Sequence, residues 1–75
     1  MTGNQIKAAR ALLEWSQAHL AEQAGLSLPT VERAEGKSVL AASERAVLAI
    51  QTALEAAGVE FIPQNGGGLG LRLRK

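Results

Sequence analysis

The chain has 75 residues, one histidine, no cysteine and a formal net charge of +1, a length that builds one domain with a small core and favours self-association. Without cysteine there are no disulfides or thiolate metal sites, and a lone histidine cannot assemble a zinc centre, so no metal or cofactor is expected. An enzyme is not expected either, because there is no cysteine, one histidine expected at the surface, and no pair of acids in the apolar pocket that catalysis calls for.

The distribution of charge says more than its sum. Arg72, Arg74 and Lys75 crowd the last four positions, so residues 1–71 carry five basic against seven acidic side chains, a net of −2. Such a body is no generic polycation, and binding to nucleic acid would have to rest on a few placed contacts. No apolar run approaches the length of a membrane span, and no charged start followed by an apolar stretch marks export. A cytoplasmic protein with no membrane partner is the expectation.

In chain order, Met1 to Asn4 reads as a short frayed lead. From Gln5, the residues Ile6, Ala9, Leu12 and Leu13 recur at helical spacing and predict a first helix ending near Trp15, whose bulk serves as a core plug. Ser16 is a capping residue for a second helix, Gln17 to Ala24, with Leu20, Ala21 and Ala24 apolar. At Gly25 the chain must reverse, and a residue without Cβ takes the positive φ this needs. Leu26 then points to the core and Ser27 caps a third helix from Leu28 to about Glu35, with Pro29 in the first turn, where a missing N–H costs little. Val31 and Ala34 face inward, leaving Leu28, Pro29, Thr30, Glu32 and Arg33 outward.

Val39, Leu40 and Ala42 read as packing in a connecting turn. Ser43 caps a longer helix from Glu44 to Ala57, with Gly58 just beyond it. Its residues Ala46, Val47, Ile50, Ala53, Leu54 and Ala57 form a broad buried face, and its remaining surface is Ala-rich and suited to a partner. From Val59 the period changes: Val59 to Ile62 is β-prone, Pro63 to Gly68 is a reversal, and Leu69, Leu71 and Leu73 alternate with Gly70, Arg72 and Arg74. Residues 1–58 thus form a helical domain and residues 59–75 a strand or hairpin tail. A lone two-stranded hairpin is marginal in water, so it must pack on the bundle or pair with another chain. The second is favoured: two tails joined across a twofold axis, with Phe61, Leu69, Leu71 and Leu73 inside a homodimer.

The run Trp15-Ser16-Gln17, Leu20-Ala21, Ala24-Gly25, Ser27, Thr30-Val31, Arg33, Glu35-Gly36 closely resembles the lambda-repressor-like (Cro/CI, XRE-type) helix-turn-helix family over residues 4 to 57. The resemblance implies a mostly α bundle of four to five helices, here with a C-terminal β-hairpin or strand extension, whose third helix enters the DNA major groove. It further implies an ion pair between Arg10 and Glu35, and a phosphate contact at the start of the second helix from Gln17 and nearby backbone N–H groups. Leu28, Pro29 and Arg33 fall where this family commonly reads bases, and they depart from its frequent glutamines.

Their chemistry can be read directly. Arg33 can bond guanine O6 and N7 bidentately, while Leu28 and Pro29 offer apolar contact suited to a thymine methyl, and Thr30 can reach a base edge or a phosphate. Glu32 is a partner for Arg33 or a reader of cytosine. Ser27, Lys37 and Ser38 join Gln17 as phosphate contacts, with Arg45 a weaker candidate. The expected function is a sequence-specific transcriptional regulator, a dimeric repressor of its own operon or of nearby mobile-element or phage-derived genes that binds a palindromic operator in double-stranded DNA. The alternative is an antitoxin or anti-activator that acts on a protein partner and uses DNA binding for autoregulation.

Overall fold

The computed structural model describes residues 1–36, 42–62 and 70–73. Among them are four helices, α1 (Gly3–Leu13), α2 (Gln17–Ala24), α3 (Leu28–Ala34) and α4 (Glu44–Ala56), followed by strands β1 (Val59–Ile62) and β2 (Gly70–Leu73). The protein is mostly helical, with one two-stranded antiparallel hairpin.

Four side-chain caps set the helix starts. Ser16, Ser27 and Ser43 accept from the N–H groups of His19, Thr30 and Ala46, satisfying donors that have no partner within the first turn. Thr2 does the same for Gln5, and the Gln5 side chain answers by accepting from the Thr2 N–H, which makes a reciprocal capping box. This box corrects the expectation of a frayed lead, because it starts α1 at Gly3, two residues earlier than the apolar spacing indicated. Gly25 closes α2 at φ 70°, where a side chain would be strained. Glu14 closes α1 in the same left-handed region, at φ 57°, although it carries a Cβ.

The core is built from one stripe of each helix and the start of the hairpin. Ile6, Ala9, Leu20, Ala21, Val31, Ile50, Leu54 and Val59 are buried together, and Leu13, Trp15, Leu26, Ala34 and Ala53 pack around them. On α4 the buried line is Ala46, Ile50 and Leu54, spaced at four, while Ala57 is exposed at the C-cap. The buried stripe is therefore narrower than the sequence period indicated.

The strands pair with each other within the chain, Val59 opposite Leu73 and Phe61 opposite Leu71, and Glu60 forms an ion pair with its register partner Arg72. Phe61, Leu71 and Leu73 pack against the core of their own chain. The hairpin therefore forms within one chain and packs on the bundle, the first of the two supports open to it on sequence grounds. The hairpin finds its support on the bundle, because the apolar faces of its two strands complete a core that four short helices leave open. Leu69 lies outside the described residues.

Candidate nucleic-acid interface

The candidate site begins at a buried ion pair. Glu35, the C-cap of α3, has a side chain with no solvent exposure, and Arg10 of α1 approaches it with 19% of its own side chain exposed. The contact is bidentate, Arg10 Nε to Glu35 Oε2 at 2.7 Å and Nη2 to Oε1 at 3.0 Å, the geometry in which a planar guanidinium fits a carboxylate best. Arg10 Nη1 donates to the Trp15 carbonyl at 3.0 Å, and the Trp15 N–H returns to the Arg10 carbonyl at 2.9 Å. The left-handed turn at Glu14 brings that carbonyl within reach. Gln17 completes the group, its Nε2 donating to Glu35 Oε1 at 2.9 Å.

One carboxylate thus gathers α1, the opening turn of α2 and the end of α3. No buried side-chain nitrogen or oxygen among the described residues is left without a partner, so the charge sits in the interior with its hydrogen-bonding capacity met. Close packing joins the same elements: a Cβ added at Gly3 would stand 2.6 Å from the Glu35 carbonyl carbon and 2.7 Å from its oxygen. The opening of α1 lies directly on the backbone that ends α3.

The outer edge of α3 differs in every respect. Leu28 and Pro29 are exposed, Leu28 at 40%, and Thr30, Glu32 and Arg33 are half-buried, while Val31 is sealed in the core. A chain of hydrogen bonds runs along this edge. The Ser27 and Thr30 hydroxyls lie 2.8 Å apart, and Arg33 Nη2 donates to Thr30 Oγ1 at 3.2 Å. Thr30 is the side chain that bonds the Arg33 guanidinium, and Glu32, expected as a partner for Arg33 or a reader of cytosine, is half-buried.

At the start of α2, the Ser16 hydroxyl takes the His19 N–H at 3.0 Å. The backbone N–H groups of Gln17 and Ala18 have no acceptor among the described residues. The Gln17 side chain, expected toward phosphate, is turned to Glu35. Trp15 sets its ring edge-on to His19, with centroids 4.7 Å apart, and His19 is exposed as expected. Lys37 and Ser38 lie outside the described residues.

Nothing local marks Gln17 as a member of the ion pair, since an amide in a first turn reads equally well as solvated. The serine-threonine-arginine chain had a visible signal, because positions 27, 30 and 33 are spaced at three on one helix face. No described helix is long and apolar enough to cross a membrane. No protein-family model and no curated protein matches this chain.

Proposed function

We propose that this chain is a sequence-specific DNA-binding transcriptional regulator of the lambda-repressor-like helix-turn-helix type, with α3 as the helix that enters the major groove. The observation that carries the reading is the outer edge of α3. Leu28, Pro29, Thr30 and Arg33 line up on it, exposed or half-buried, while the opposite side of the helix is locked into the core by Val31 and Glu35. A short helix clamped at its back with unlike chemistries on its front suits reading of base edges better than packing within a single chain.

Each group then has a role. Arg33, steadied by Thr30, presents its fork to guanine O6 and N7. Leu28 and Pro29 cover thymine methyl groups. The unengaged N–H groups of Gln17 and Ala18 meet a phosphate at the positive end of α2, so the phosphate contact at residue 17 is made by backbone. Lys37, Ser38 and the Ser27 hydroxyl belong to the same backbone-positioning set. Two copies acting together would span half-sites about 34 Å apart on one face of the duplex.

The test is selection from a random duplex pool followed by footprinting. The expected result is a short inverted repeat protected in two halves one helical turn apart, with affinity that falls as salt rises. Recovery of no consensus, or of a consensus unaffected by Arg33→Ala, would overturn the reading.

A further inference from the structure

We infer that the outward face of α4 is the surface on which a second copy of this chain docks, helix against helix and antiparallel. The inference rests on the dimeric regulator proposed above and gives that dimer a surface. Phe61, Leu71 and Leu73 of the hairpin are partly buried and pack against the core of their own chain. Among the described residues, Leu48 of α4 is the most exposed large apolar side chain, at 62%.

Leu48 borders a groove of about 490 Å³ between α2 and α4, whose walls include Gln23, Ala24, Ala49, Thr52 and Ala53. Its floor is mainly methyl groups, so a second helix can approach closely and seat a leucine there. Each copy therefore offers both a knob and a hollow, as a twofold contact requires.

The spacing and sign of the charges choose the occupant and its direction. Arg45, Leu48, Thr52 and Glu55 fall at intervals of three, four and three, which places them on one face. An antiparallel pair centred on residue 50 sets Leu48 opposite the partner's Thr52, and Arg45 opposite the partner's Glu55 at both ends. A parallel pair would stack arginine on arginine and glutamate on glutamate. Within its own chain, Glu55 accepts from Gln51 through Oε2 at 3.3 Å, an exposed contact that leaves the carboxylate free to meet a second donor. The α4 face is thus complementary to itself in shape and in charge, and in only one orientation.

The experiment is sedimentation equilibrium on the full chain, with circular dichroism as a check on folding. The native chain is expected at twice the chain mass, and Leu48→Glu at the single-chain mass with unchanged helix content. Arg45→Glu and Glu55→Arg should each weaken the dimer about tenfold, because both copies of the contact become repulsive. The double variant R45E/E55R should restore it. A native chain that stays monomeric, a dimer that survives Leu48→Glu, or a double variant no tighter than the single ones would overturn the proposal. Restored dimerisation with no selected DNA consensus would remove the regulator and leave this interface standing, whereas Arg33-dependent binding by a monomer would do the reverse.

Discussion

The two ends of α3 are built on opposite rules. At its C-terminal end a full charge is withdrawn from water and every oxygen of Glu35 is met, by Arg10 and Gln17. At its N-terminal end and along its front, Leu28 and Pro29 are exposed, beside an arginine that donates to the Thr30 hydroxyl. The first arrangement fixes where the helix sits, and the second leaves an accessible surface. Under the proposed function, stability rests on the C-cap Glu35 and recognition on the front of α3, and substitutions should separate the two.

The sharpest separation is expected at the buried pair. Arg10→Ala leaves the Glu35 carboxylate buried with only the Gln17 amide against it, and should cost about 3–5 kcal/mol of unfolding free energy, measured by urea denaturation. A loss below about 1 kcal/mol would mean the pair behaves as an exposed one. Next is Gly3→Ala, which puts a methyl group into the Glu35 backbone and should cost about 1–3 kcal/mol as α1 is pushed off α3. An unchanged melting temperature would show that the close approach has slack.

The front of α3 should respond the other way. Arg33→Ala is expected to move stability by no more than about 0.5 kcal/mol while weakening operator binding by about 1–3 kcal/mol, read by fluorescence anisotropy alongside denaturation. Ser27→Ala lies between the two sets, since Ser27 both caps α3 and contacts Thr30. About 1 kcal/mol of stability should go with the cap. The smallest effect is expected at Glu14→Gly, where relief of the left-handed turn at φ 57° should add up to about 1 kcal/mol.

Local chemistry was legible in the chain. Serines 16, 27 and 43 announced the starts of α2, α3 and α4, and Gly25 announced the turn between the second and third helices, because capping and positive φ are decided within a few residues. The Thr2 to Gln5 box is equally local, but it precedes the first apolar residue of the period and so lies outside the pattern that marks the helix. What could not be read were choices among distant partners. Whether the Gln17 amide meets a phosphate or Glu35, and whether β1 pairs with β2 or with another chain, depends on shapes assembled from many residues, which neither period nor composition encodes. The front of α3 was legible as a set of outward residues, and the spacing of Ser27, Thr30 and Arg33 at three marked the hydrogen bonds that run along it.

The claim that the front of α3 reads base pairs is tested most directly by a paired binding profile. Affinities of the native chain and of Arg33→Ala are measured for an operator and for every single base-pair change in one half-site. If Arg33 reads a guanine, one G·C position penalises the native chain by about 1–3 kcal/mol and the variant not at all, with the remaining positions unchanged. Profiles that fall in parallel, every site weakened equally, would place Arg33 on the phosphates and contradict base reading by this edge.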